Sequence, residues 1–271
     1  MNVKIYVCCH QKGFYANQEG YVPIQVGKRV SNIDLGFDAD DEGDNISDKN
    51  PWYCELTAQY WIWKNCNDAD YVGLCHYRRY FDFNPSFFDN IRHYKFVNEE
   101  YLSNHIKVDE DFLASADVIT VSKQSFNLPS YDVLCRGHIR KDVRELENVV
   151  AELYPEYLDD YKYVIYEENH YYPFNMMIAK REIYNDYSKW LFDILFEFEK
   201  RLCIPADPYQ PRVFGFYSER LLYVYLHHHP EYKIKQLPVL QLTNNKNQPL
   251  VLLKAREWLR NLTCFLYKKT N

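Results

Sequence analysis

The run Asp70-Tyr-Val-Gly-Leu-Cys-His-Tyr-Arg-Arg-Tyr-Phe-Asp82 constrains the fold of this chain more than any other stretch. Its apolar part, Tyr71 to Tyr77, carries no formal charge and is too short for a helix, so it reads as a buried strand. The strand runs directly into Arg78 and Arg79, with aromatic residues on either side. Two guanidiniums at a strand's carboxyl end form a preplaced cationic clamp, and the planar fork of Arg suits phosphate because it donates two parallel charge-assisted hydrogen bonds. The plainer alternative is that both arginines pair with surface carboxylates such as Asp82.

The remaining elements follow from periodicity. Val3 to Cys9 alternates and is rich in β-formers, giving a first strand that ends at His10-Gln11-Lys12. Residues 20 to 49 read as a long irregular polar segment. Asn50-Pro51 opens a helix reaching Lys64, with Asn50 as its N-cap. Asp117 to Ser122 and Phe174 to Ala179 are strands. Helices are expected over 141–153, 181–201, 217–227 and 252–267. Strands and helices alternate, which calls for an α/β sheet covered on both faces. In such sheets ligands bind outside the carboxyl ends of the strands.

Composition narrows the function. With 32 Lys and Arg against 38 Asp and Glu, the net charge of −6 argues against a nucleic-acid partner, which needs a dense basic surface. The 8 glycines never fall into a G-x-G or P-loop spacing, so neither a dinucleotide fingerprint nor a Walker loop is present. The 8 cysteines form no C-x-x-C pair and suit buried thiols in a reducing cytoplasm. No stretch is long and apolar enough for a membrane span, and Met1 to Val7 does not read as a signal peptide.

Several clusters compete for chemistry. Asp68-Ala-Asp70 and Asp38-Ala-Asp40 both spell D-x-D, a pattern that can hold a divalent metal, but the first precedes its strand and reads as a turn, and the second lies in a polar loop. His227-His-His229 ends a helix, where three successive side chains diverge and the helix dipole accounts for them. Glu219, expected at the start of a helix, is either a first-turn acid or a general base projected into the crevice, and His170 is the rival base. The 26 tyrosines can stack on sugars, although core packing explains most of them.

In Ile24 to Gly27, Gly43 to Ser47, Asn50 to Thr57, Tyr60-Trp61 with Trp63 to Asn65, Tyr71 to Phe81, Phe174 to Lys180 and Phe214 to Leu221, the chain resembles the bacterial capsule and exopolysaccharide glycosyltransferases filed as domain of unknown function 4422. The likeness covers about residues 3 to 240. It implies an A-type glycosyltransferase fold, that is, a Rossmann-like central mixed sheet flanked by helices, over residues 1–250. It also implies a UDP-sugar donor and a glycan acceptor, and some members are thought to transfer galactofuranose. Arg78 and Arg79 stand where a metal-binding D-x-D is expected in that fold. No metal ligand is therefore named, although Asp38 and Asp40 leave manganese or magnesium open.

The sites nominated are as follows. His10, Gln11, Lys12, Gly27, Asp44, Asn45, His76, Arg78 and Arg79 are expected on the donor, Asp82, Tyr172 and Asn175 on the acceptor, and Glu219 or His170 in catalysis. The expected activity is inverting transfer onto a growing, lipid-linked polysaccharide in the cytoplasm. A metal-dependent sugar-phosphate hydrolase and a non-catalytic glycan-binding module are the alternatives. Residues 251–271 stand apart as a basic amphipathic helix, with five cations (Lys254, Arg256, Arg260, Lys268, Lys269) against Glu257 alone, a local charge of +4. Its apolar face either lies in an anionic membrane surface or docks on the catalytic domain.

Overall fold

A computed structural model describes residues 1–137, 140–202 and 212–243. Among them are eleven strands: β1 (Val3–Cys9), β2 (Tyr21–Gln25), β3 (Tyr71–His76), β4 (Arg79–Phe81), β5 (Tyr94–Val97), β6 (Val118–Val121), β7 (Gln124–Ser125), β8 (His170–Tyr171), β9 (Met177–Lys180), β10 (Ile234–Leu237) and β11 (Val239–Leu242). The α-helices are α1 (Asn50–Tyr53), α2 (Leu56–Asn65), α3 (Phe87–Arg92), α4 (Glu99–His105), α5 (Glu110–Ala114), α6 (Ser130–Gly137), α7 (Arg140–Leu153), α8 (Leu158–Lys162), α9 (Arg181–Arg201) and α10 (Val213–His228). The result is the mixed sheet flanked by helices that the sequence leads one to expect.

β3 is the hub of the main sheet. It pairs in parallel with β1 from Val3↔Tyr71 to Cys8↔His76, and antiparallel with β9 from Tyr71↔Lys180 to Leu74↔Met177. At His76↔Arg79 it turns back into β4, which leads through β11 to β5. β9 continues through β6 to β10 on the other side, and β2 closes the edge beyond β1. Gly73 is required at the hub, because a Cβ there would stand 2.6 Å from Ile178 Cγ1 and 3.0 Å from the Met177 carbonyl oxygen.

Period-2 alternation splits the strand residues between two cores. Tyr6, Cys8, Val72, Leu74 and Ala179 face α2, α7, α9 and α10, whereas Ile5, Val7, Cys9, Cys75 and Ile178 face the side covered by α4 and α5. Both faces are therefore buried, which is why β3 tolerates no charge.

Four boundaries differ from expectation. The segment read as irregular contains β2, whose Pro23 is accommodated because β2 is the outer strand beyond β1 and is bridged on its other side only at Gln25↔Ala39. The helix expected over 50–64 is broken at Cys54, whose φ of 52° and ψ of −128° divide α1 from α2. Asn50 is not an N-cap: its backbone is already helical, and its side chain spans the break by donating to the Cys54 carbonyl (2.7 Å) and Thr57 Oγ1 (3.1 Å). The strand expected from Phe174 begins only at Met177, because Phe174 and Asn175 are left-handed, with φ of 73° and 53°. Helix α10 begins at Val213, one turn earlier than expected, so Glu219 lies in its second turn beyond the reach of a first-turn dipole effect. The helix expected over 252–267, and with it the division at 251, lies outside the described residues.

Candidate functional site

The carboxyl ends of β1 and β3 and the amino end of antiparallel β9 share one edge of the sheet, and charged side chains gather there. β3 delivers the two arginines through a tight turn, in which the Arg78 carbonyl accepts from the Leu242 N–H (2.9 Å) and from Gln241 Nε2 (3.0 Å). Arg79 Nε donates to Gln241 Oε1 at 3.1 Å, and its guanidinium lies 4.3 Å from the centre of the Phe174 ring. Arg78 Nε is buried with no hydrogen-bond partner. Among the described residues neither guanidinium pairs with a carboxylate. Asp82, the surface partner weighed above, is itself buried and accepts from the Asn84 N–H instead.

Opposite the arginines, Phe174 and Asn175 form a turn whose left-handed backbone costs on the order of 1–3 kcal/mol per non-glycine residue. Side chains hold it from both sides. Glu219 Oε1 accepts the Phe174 N–H at 2.7 Å, and His76 Nε2 donates to the Phe174 carbonyl at 2.7 Å. Burial lowers the His76 pKa against the pull of Glu55 and the Phe174 carbonyl, with Arg79 and Arg212 acting in the same direction as burial, so the ring donates as the neutral imidazole. Asn175 donates through Nδ2 to Glu55 Oε1 (2.7 Å) and to the Gly215 carbonyl (3.0 Å), while its Oδ1 accepts from Ser218 Oγ (2.9 Å). Glu55 follows the Cys54 break, and Arg212 Nε donates to Cys54 Sγ at 3.3 Å. His10 approaches from the end of β1 with its ring edge-on to Tyr77 at 5.0 Å, and burial together with Arg212 lowers its pKa.

Glu219 has both oxygens engaged, the second by Arg220 Nη1 at 2.7 Å. Burial raises its pKa to about 7, against the pull of Arg220 and the Phe174 amide. A carboxyl whose folded pKa exceeds its unfolded value of 4.5 contributes stability that is complete below about 4.5 and is lost as pH rises through about 7. That difference corresponds to roughly 3 kcal/mol. Urea unfolding of wild type and Glu219→Gln should therefore show the wild type losing roughly that much relative to the variant between pH 4.5 and pH 8. A difference that stays flat over this range would refute the assignment.

Of the nominated residues, the edge brings together His10, His76, Arg78, Arg79, Asn175 and Glu219, and Gly27 reaches the same edge just beyond the carboxyl end of β2, parallel to β1. Gln11 and Lys12 extend from the His10 loop as exposed side chains. The others are held in contacts of their own. His170 in β8 pairs with Glu168 at 2.9 Å. Tyr172 packs edge-on to Tyr223, and burial pushes its phenol up to about 12. Gly27 donates its N–H to Asp40 Oδ2 (2.9 Å), with Asn50 filling the space its Cβ would need. Asp44 accepts from Tyr60 (2.9 Å) and Asn45 braces its own loop, both towards the Asn65 end of α2, away from Glu55.

The D-x-D pairs stay apart from the cluster. Asp70 accepts from the Asn2 N–H (2.7 Å) and Asp68 pairs with Lys4 at the opposite sheet edge, while Asp38 is exposed. His227 and His228 do converge, contrary to expectation, but on the Asp160 carboxylate. Three members of the cluster were missed by sequence reasoning: Cys54, Glu55 and Arg212. Glu55 lay within a matched segment, but nothing in its periodicity set it apart.

Comparison with known proteins places this geometry in context. Domain of unknown function DUF4422 matches residues 4–230. A solved structure described as the WbbM bifunctional glycosyltransferase, without ligand, is similar to this chain at 33% identity and a TM-score of 0.83. That likeness covers 92% of this chain and 48% of that one, so this chain spans about half the length of WbbM. No curated protein matches the sequence. With 227 consecutive positions under one family description, the chain belongs to the DUF4422 family.

Proposed function

We propose that this chain is a glycosyltransferase that moves a hexose, with galactofuranose the foremost candidate, from a UDP-sugar onto a growing lipid-linked polysaccharide with inversion at the anomeric carbon. The observation that carries the reading is the pair Arg78 and Arg79, unpaired with any described carboxylate at the carboxyl end of the central strand. Cleavage of a sugar–phosphate bond leaves a nucleoside diphosphate whose growing charge must be stabilised, and fixed guanidiniums in a partly buried site do this without reorganising. Arg212 adds a third cation to the same edge. Similarity to a bifunctional glycosyltransferase supports the reading.

The hydrolase alternative drew on Asp38 and Asp40, and the hydrogen bonding of Asp40 favours it no further. Glu219 is taken up by the Phe174 N–H and Arg220, His76 by the Phe174 carbonyl and Glu55 by Asn175, so among the described residues these side chains do not converge on a cation, and no step is routed through one. UDP-sugars at about 100 times their dissociation constant should stabilise the protein by about 2.7 kcal/mol in thermal shift. Release of UDP should continue in EDTA. Complete loss of turnover on chelation, restored by manganese or magnesium, would overturn the metal-independent mechanism, and phosphate release from simple esters would favour the hydrolase.

For the helix expected over 252–267, which lies outside the described residues, we propose contact with the anionic inner leaflet. Among the described residues no helix is long and apolar enough to cross a membrane. Each near-surface cation contributes about 1 kcal/mol to such binding. Co-sedimentation with anionic liposomes should weaken in high salt and disappear on truncation after Pro249. Unfolding on that truncation would return the helix to the core.

A further inference from the structure

We infer that Glu55 is the general base that deprotonates the acceptor hydroxyl, and that Glu219 is a positioning residue which holds the turn that aims it. The inference rests on the glycosyltransferase reading. Two carboxylates stand at this edge, and hydrogen bonding separates their roles. Both oxygens of Glu219 are taken, one by the Phe174 N–H and the other by Arg220, each at 2.7 Å. Each Glu219 oxygen therefore already serves a fixed donor, which commits the group to holding the turn and Arg220. Glu55 is held at one oxygen only, by Asn175 Nδ2 at 2.7 Å, and among the described residues its Oε2 has no hydrogen-bond donor.

The support beneath Glu55 is rigid. Asn175 is buried, and its amide is fixed by Gly215 and Ser218 as well as by Glu55. Its left-handed backbone follows that of Phe174, which Glu219 and His76 hold at either end of the residue. On the other side, Glu55 directly follows Cys54, whose φ and ψ of 52° and −128° lie where only glycine is at ease. Strain at two neighbouring segments thus converges on one carboxylate. His76, Arg79 and Arg212 all feel its charge. A carboxylate fixed at one oxygen and open at the other, beside the cations that receive the leaving group, meets the geometric demand on a general base.

The step balances as a single displacement. The acceptor oxygen forms a bond to the anomeric carbon as the bond from that carbon to the β-phosphate oxygen breaks. The electron pair leaves on the diphosphate opposite the arginines, and the hydroxyl proton passes to Glu55 Oε2.

The test measures transfer from UDP-galactofuranose to octyl β-galactoside, UDP affinity by titration calorimetry, and the dependence of kcat on pH. Glu55→Gln should lose between a hundred- and ten-thousandfold in kcat, keep its UDP affinity within twofold, and lose the acidic limb of the pH profile. Glu219→Gln should lose about tenfold, lose any inflection near pH 7 that Glu219 itself contributes, and keep the remaining acidic limb. Formate should restore part of the rate to Glu55→Ala. Glu55→Gln activity within threefold of wild type, a raised donor KM with unchanged kcat, or no rescue by formate would each overturn the inference alone. A wild type that neither binds UDP nor transfers would overturn the glycosyltransferase reading beneath it.

Discussion

Alanine at Arg78 should lower turnover at least tenfold, by about 1.4 kcal/mol in transition-state stabilisation, while leaving the melting temperature unchanged or slightly raised. The two halves of this expectation come from the same fact. In the protein without ligand, Arg78 Nε is buried and makes no hydrogen bond, which is an unfavourable arrangement for a charged group. Removing it therefore takes no hydrogen bond away from Nε. If the diphosphate is what satisfies the guanidinium, its loss appears in catalysis, because charge that grows on the leaving group is stabilised less. Arg79 is a less clean probe. Its Nε bond to Gln241 and its packing on Phe174 tie it to the turn, so Arg79→Ala should lose both activity and some stability. Steady-state kinetics with thermal melts on both variants checks this. Wild-type turnover in Arg78→Ala, or a melting temperature that drops as far as in Arg79→Ala, would return Arg78 to an ordinary structural role.

What was legible in the sequence follows from periodicity and burial. β1, β3, α7 and α9 were visible because each carries a strong pattern, the two strands buried on both faces and the two helices on one. β2 was not, because its five residues include Pro23 and it becomes a strand only through parallel pairing with β1, a partner distant in sequence. The break at Cys54 was hidden for a related reason. Asn50-Pro51 is a sound helix start, and the interruption four residues later depends on the Asn50 side chain closing the gap to Thr57 and on neighbours that tolerate the strained conformation.

The site shows the same division. His10, Arg78 and Arg79 were found because they follow strands directly, where the ligand rule for α/β sheets applies. Glu219 was found as an acid at the expected start of a helix, a reason the structure revises: the helix begins a turn earlier, and hydrogen bonds rather than the dipole set its environment. Glu55 and Arg212 belong to a helix break and a helix entrance whose positions are tertiary facts. Tyr172 and Asp82, by contrast, were nominated for the acceptor, and here both are buried.

Alanine at Asp40 should destabilise the protein by about 3–5 kcal/mol, the sum expected when several buried donors lose one shared acceptor, which corresponds to a fall of roughly 10 °C in melting temperature for a chain of this size. Asp40 is fully buried, and its carboxylate accepts from the Gly27 N–H (2.9 Å), the Lys28 N–H (3.2 Å), Ser47 Oγ (2.5 Å) and Thr57 Oγ1 (2.6 Å). These four donors come from three separate segments, so one carboxylate ties the end of β2, the loop before α1 and the first turn of α2 together. Deleting it leaves the buried Gly27 amide and Ser47 hydroxyl without this acceptor, each costing about 1–3 kcal/mol before relaxation, and the part-buried Lys28 amide loses its bond as well, while the Thr57 hydroxyl can fall back on the Cys54 carbonyl at 3.1 Å. The left-handed Gly27, with a φ of 66°, gains its place from the same contact. Asp40→Asn should recover little, because its amide nitrogen would face donors. The expectation separates the two readings of this D-x-D sharply. As an anchor, Asp40 sets stability, and whatever fraction of Asp40→Ala remains folded should turn over at the wild-type rate with or without added metal. Equilibrium unfolding in urea, scored beside activity per folded molecule, decides between them: a variant as stable as wild type that loses only a metal-stimulated rate would make Asp40 a ligand.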